Sequence, residues 1–207
     1  MDIFTKLPLK LIPKDFRSKW LAELAERERL QELWNSKRPS DVLGPKVDFS
    51  SMLSSSPDIG PEMRRLYEKI QTLGYSIPDW KYQIAVPVVS LEDFFDDNDE
   101  EHSLATNLEP HPGLNFFKRK LLQIRKRPDV QDVLFDIYHV SEPPTQHVTW
   151  PGPESVYIIT TAEEAKVDEW NRQLLADGPS EGWLNDIVPN GAPIVLPGYR
   201  VWRIMWD

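Results

Sequence analysis

The densest set of chemically capable side chains is the run EDFFDDNDEE at residues 92–101, which holds seven carboxylates and no base. Asp93, Asp96, Asp97, Asp99, Glu100 and Glu101 are its candidate site residues. A hard cation wants several oxygen ligands from closely spaced carboxylates. Asp97-Asn98-Asp99 with Glu101 begins such a pattern, but the glycine of the sharp turn and the glutamate at the twelfth position are missing, so no metal site is assigned. A solvated acidic loop is the plainest alternative. A surface offered to a basic partner protein is the third use, because a partner's Lys and Arg relieve the repulsion among crowded like charges.

A second candidate set is aromatic. Trp150 stands in the Pro-rich stretch Trp150-Pro151-Gly152-Pro153, and Trp183 in a later turn-rich stretch. Loop tryptophans can hold a carbohydrate, a proline-rich peptide or the centre of a protein interface. Eight tryptophans cannot all be exposed in a chain of 207 residues. Trp20, Trp170, Trp202 and Trp206 suit burial by their spacing, and among the others Trp150 and Trp183 are the contact candidates.

Catalytic pairings are sparse. His139 beside Glu142, and His147 beside Thr145 and Thr149, are the local base-and-partner combinations. On an extended segment His139 falls on the side of Val133, Phe135 and Ile137, so it is expected to be a core histidine. Glu142 and Glu154 flank the Pro-rich loop and would form a carboxylate pair for glycoside chemistry if the fold brings them together. The dinucleotide, P-loop, nucleophile-elbow and H-E-x-x-H signatures are absent from the sequence. No catalytic residue and no cofactor is assigned. With no cysteine, disulfides, cysteine zinc sites and thiol nucleophiles are excluded.

Charge is laid out in blocks. Residues 1–40 carry nine bases and six acids. The acidic run is followed by six bases and no acid in 112–127, and residues 128–207 hold four bases and thirteen acids. The formal charge of −9 disfavours a general nucleic-acid coat. The basic stretch Lys118–Arg127 is expected to pair with the protein's own acidic segments. No stretch approaches the length of about 18 apolar residues that a membrane helix needs, and the first residues lack a signal-peptide core, so a cytoplasmic protein is expected.

The elements that must position these residues follow from periodicity and punctuation. Helices are predicted over Pro13–Trp34, with Phe16, Trp20 and Leu24 on one stripe, and over Pro61–Leu73, Pro112–Arg125 and Glu163–Ala176. A short helical turn should open at Ser90, and Thr161 to Glu164 reads as a capping box for the last helix. Residues 35–60, with seven Ser, three Pro and two Gly, read as an irregular wrapping segment. Strands are predicted over 82–89, 133–140, 155–160 and 199–206. The chain ends one residue past the last of these, so its tail is expected to be a core or interface strand. The fold class is α+β: a small mixed, mainly antiparallel sheet of about four strands packed with helices, preceded by a helical N-terminal arm. Residues 1–60 form the arm and wrapping segment, and 61–207 one domain.

The leading functional expectation is a soluble acidic protein-binding module, of the inhibitor or immunity type, masking a basic partner surface through Asp93–Glu101, Trp150 and Trp183. A hydrolase or carbohydrate-active enzyme using loop carboxylates is the alternative, and a structural or assembly subunit anchored through the N-terminal segment is the third. A basic protein is the expected partner, with nucleic acid disfavoured and no membrane contact.

Overall fold

The computed structural model describes residues 46–56, 59–76, 86–143, 145 and 147–206. The predicted helix Pro13–Trp34 and residues 82–85 of the first predicted strand lie outside them.

The fold is α+β. Five strands, β1 (Val88–Ser90), β2 (Val130–Asp136), β3 (Ser155–Thr160), β4 (Gly178–Glu181) and β5 (Arg200–Met205), form one sheet in the order β1-β2-β3-β5-β4. Every neighbouring pair is antiparallel. Helices α1 (Ser50–Ser55), α2 (Pro61–Thr72), α3 (Leu91–Phe95), α4 (Leu114–Arg125) and α5 (Glu164–Gln173) complete the order.

Strand alternation divides the apolar residues into two clusters. Val89, Val133, Phe135, Val156, Ile158, Trp202 and Ile204 share the main core with the apolar stripes of the helices, including Leu66, Leu121 and Trp170. Val88, Leu134, Tyr157, Ile159 and Val201 form a smaller cluster against Trp183, Ala192, Val195 and Tyr199. The side-chain period of two assigns each set to its own face. Trp170, Trp202 and Trp206 are buried as expected, and Trp20 lies outside the described residues.

Local chemistry accounts for the boundaries. Pro61 occupies the first turn of α2, where its missing N–H costs nothing, and Gly74 at φ +79° ends the helix in the left-handed region. At α3 the Ser90–Asp93 capping box forms. The Ser90 hydroxyl accepts from the Asp93 N–H at 3.1 Å and the Asp93 carboxylate from the Ser90 N–H at 3.1 Å. Replacing Ser90 with Ala is expected to cost about 1 kcal/mol in urea unfolding, as cap removals do.

Several expectations are corrected. The irregular reading of 35–60 fails at Ser50–Ser55, which is helical, with Met52 and Leu53 in the main core beside Phe49. The second strand runs over 130–136 rather than 133–140. Beyond Asp136 the amides of Tyr138 and His139 both donate to the Gly152 carbonyl, at 3.1 and 2.9 Å, so alternation is lost. His139 is therefore exposed and not a core histidine. The Thr161–Glu164 capping box does not form. Thr161 is bound to the start of β2, its N–H donating to the Asp129 carbonyl at 2.9 Å, and α5 starts later, with Glu163 at its N-cap. Strand β4, with the sequence GPSE, carries no apolar alternation and was not expected; pairing with β5 makes it a strand.

Candidate functional site

The acidic run divides into a structural part and an exposed part. Phe94 and Phe95 are buried against Phe135 of β2, at ring separations of 4.5 and 5.5 Å, and anchor the base of the run to the sheet. Lys69 of α2 lies 2.6 Å from the Asp93 carboxylate, and Arg65 3.6 Å from that of Asp96. Burial opposes ionisation of Asp93, but the bonds from Lys69 and Ser90 outweigh it and hold its carboxyl below the ordinary range. Arg125 of the basic helix pairs with Glu92 and lies 3.4 Å from Asp132, so part of the charge layout is neutralised within the fold. The Glu101 carboxylate accepts from the Leu114 N–H at 2.8 Å and caps α4.

Asp97 and Asp99 are exposed, and among the described residues neither forms an ion pair. Asp97 takes φ +58°, a left-handed conformation that Asp tolerates better than most residues. The side chain of Asn98 holds the turn shape, accepting from the Glu100 N–H at 3.1 Å and donating to the Ser103 hydroxyl at 3.0 Å.

Glu100 joins the acidic run to the tryptophan set: its carboxylate accepts from the backbone N–H of Trp150 at 2.7 Å. Around this bond opens a cleft of about 520 Å³. Glu100, at the end of the acidic loop, and His102, Thr106 and Asn107 in the turns after it line one side, and His139, Thr149, Gly152 and Glu154 line it from the segments around the Pro-rich loop. Trp150 and Trp206 also line it, although both are more than nine-tenths buried. Tyr67 of α2 braces the wall behind, donating to the Thr149 carbonyl at 2.9 Å and accepting from the Ser141 N–H at 3.0 Å. Burial raises the Tyr67 phenol above its ordinary range.

The remaining candidates fall elsewhere. Trp183 packs on Tyr157 at 4.7 Å, in the cluster on the other face of the sheet from Trp150. The Thr145 hydroxyl donates to the His147 carbonyl at 3.0 Å and accepts from its N–H, which makes a turn and not a nucleophile and base. His111 is saturated. Its Nδ1 accepts from the Gly113 N–H at 3.1 Å and its Nε2 lies 2.8 Å from the Leu104 carbonyl, so its role is to fold the loop. Glu154 lines the cleft, while Glu142 is exposed and does not line it.

Behind Glu154 lies a buried polar group that the sequence reading passed over. Asp136 is fully buried and accepts from the N–H groups of Glu154 and Ser155, at 2.9 and 2.8 Å, and from the Ser155 hydroxyl. Arg203 Nε donates to that hydroxyl at 2.9 Å, and its Nη2 lies 3.7 Å from the Glu154 carboxylate. Burial pushes the Asp136 carboxyl up to about 6, against the pull of these donors and of Arg203. It also pushes the Tyr157 phenol up to about 12, with the Asp136 charge adding to the effect. The signal was present in the sequence: a lone carboxylate in a strand apolar on both faces must find buried donors.

Among the described residues, no three His, Asp or Glu side chains converge as a metal site. Glu100 and Glu101 are held by different backbone N–H groups, and Asp93 by its own cap. Millimolar calcium is expected to leave the thermal midpoint unchanged, because a specific site would stabilise the native state by mass action. A saturable rise abolished by Asp97→Asn and Asp99→Asn would contradict this.

The family described as "Uncharacterized protein YfbO family" matches residues 62–204, a span that takes in the acidic loop and both walls of the cleft. The chain belongs to the YfbO family. It is similar to the "Uncharacterized protein YfbO" of Escherichia coli (strain K12), with 38% identity over 122 residues, 58% of this chain and 83% of that protein. No solved structure matches the chain. Among the described residues of this YfbO-family chain, no helix is long and apolar enough to cross a membrane.

Proposed function

We propose that the protein is a binding module for a basic partner protein, which it meets with the acidic loop Asp96–Glu101 and the cleft beside it. The observation that carries this reading is the division of the acidic run. Asp93 and Asp96 are paired by Lys69 and Arg65, whereas Asp97 and Asp99 stay exposed on the loop whose Glu100 builds a cleft wall with Trp150. Charges left unpaired on an ordered loop are a standing attraction for a cationic surface and raise its rate of encounter. An inhibitor or immunity-type role, covering a basic active site, fits such a surface.

The test uses the full chain and an immobilised deca-arginine peptide, with deca-glutamate as control. Binding is expected for the first alone. It should weaken as salt rises, since the Debye length falls from about 10 Å at 0.1 M to about 3 Å at 1 M. Asp97→Asn with Asp99→Asn should slow association several-fold at low salt and leave the thermal midpoint in place, because neither side chain supports the fold. An unchanged association rate would sink the proposal, as would binding that salt does not affect.

A further inference from the structure

We infer that the cleft is a socket for one cationic side chain, an arginine or a lysine, with Glu100 as its anchoring carboxylate over a floor that includes Trp150 and Trp206. The inference rests on the reading of a basic partner and names what that partner must insert.

The lining residues set the ligand's charge. They include the carboxylates of Glu100 and Glu154 and no Lys or Arg. An anionic ligand would meet the Glu100 carboxylate with no Lys or Arg in the lining to offset it, and that arrangement is repulsive in a recess of reduced dielectric. The two carboxylates differ in availability. Arg203 reaches Glu154 at 3.7 Å, so that wall already has its counter-charge. Glu100 has no ion pair among the described residues, and its one bond, from the Trp150 N–H, uses Oε1 and leaves Oε2 for a ligand.

Glu100 is also preorganised. Its N–H is held by Asn98, its carbonyl accepts from the Ser103 N–H at 2.9 Å, and its carboxylate is fixed on Trp150. A carboxylate fixed in this way loses little side-chain entropy when a cation arrives, which is where a surface ion pair usually loses its gain. The rest of the socket suits a long amphipathic side chain. The parts of the two indoles that reach the cleft offer apolar surface for the methylene stem. Thr106 and Asn107 supply further polar groups at the wall, where a planar guanidinium has N–H groups to spare. Asp97 and Asp99 lie on the same loop as the anchor and add to the attraction for a cationic partner.

The probe is Nα-acetyl-arginine N-methylamide at millimolar concentration, followed by amide NMR shifts of the full chain. Its citrulline analogue, of nearly the same shape and uncharged, is the control. Saturable shifts are expected at His102, Thr106 and His139, with citrulline at least about tenfold weaker, the scale of a lost hydrogen bond to a charged group. Glu100→Gln keeps an oxygen for the Trp150 N–H and should abolish the preference for arginine over citrulline. Thr106→Trp, at an exposed lining residue, should block the cleft with the fold intact. Shifts elsewhere, equal binding of citrulline, or tighter binding of N-acetylglucosamine at the same residues would overturn the socket. If deca-arginine binds and responds to Asp97→Asn and Asp99→Asn but not to Glu100→Gln or Thr106→Trp, the socket fails and the basic-partner reading stands. If no cationic peptide binds, both fail.

Discussion

Replacing Phe135 with Ala is expected to lower the stability of the native state by about 3–5 kcal/mol, the range for deleting a buried phenyl ring. Phe135 is 0% exposed and sits near the C-terminal end of β2, between two neighbouring strands, paired with Val89 on one side and Val156 on the other. Its ring meets Phe94 at 4.5 Å and Phe95 at 5.5 Å, and those two rings meet each other at 5.1 Å. Deleting it removes two aromatic contacts, each worth about 0.5–1.5 kcal/mol beyond the buried area, and leaves a hole that the sheet cannot close. The effect should not stop at stability. Phe94 and Phe95 are the last residues of α3, from which the acidic loop departs, so hydrogen exchange at Asn98 and Glu100 should quicken in Phe135→Ala. Urea midpoints at an unchanged m-value check the first effect. A loss below about 1 kcal/mol would mean that the site collapses freely and that the three rings are not the rigid base of the loop.

How far the sequence discloses this molecule depends on which force decides each element. Strand β3, helix α4 and strand β5 are legible within about two residues, because a continuous apolar pattern between turn residues fixes each. The Ser90–Asp93 cap is legible because both partners lie within one turn. The matching signal at Thr161 misleads because a competing acceptor, the Asp129 carbonyl, comes from the residue before β2, 32 residues earlier. Strand β4 is invisible for a related reason: GPSE has no pattern of its own and is strand only because β5 needs a neighbour. The site repeats the contrast. That Asp93–Glu101 is a charged loop could be read directly. Which of its carboxylates are consumed could not, since Lys69, Arg65 and the N–H groups of Leu114 and Trp150 arrive from distant positions. Trp150 and the acidic run were separate candidates, and one hydrogen bond across 50 residues joins them.

Asp136 is expected to give the protein an inverted pH dependence, and removing its carboxylate is expected to cost about as much as removing a phenyl ring. Its carboxyl binds a proton more tightly in the native state, where it titrates near 6, than in the unfolded chain, where it has the ordinary value of 3.8. Between those values the native state holds more protons than the unfolded one, so this group's contribution is fully present below the unfolded value and is lost as pH rises through about 6. The span corresponds to about 3 kcal/mol. Most paired carboxylates do the opposite, and in this chain Asp93 and Asp129 are held low by their partners. The test is therefore a difference between variants rather than a single curve. Asp136→Asn retains an oxygen for the N–H groups of Ser155 and Glu154 and cannot ionise. Its stability relative to the parent should rise by about 2–2.5 kcal/mol between pH 4 and pH 7.5, whatever its value at pH 4. Asp136→Ala removes the acceptor altogether. It leaves the Ser155 hydroxyl and the N–H groups of Glu154 and Ser155 without their acceptor in a closed space, and a loss of about 3–5 kcal/mol at neutral pH is expected. A relative stability of Asp136→Asn that stays flat or falls across this pH range would show that Arg203 and the three donors hold Asp136 ionised throughout, against the cost of its burial.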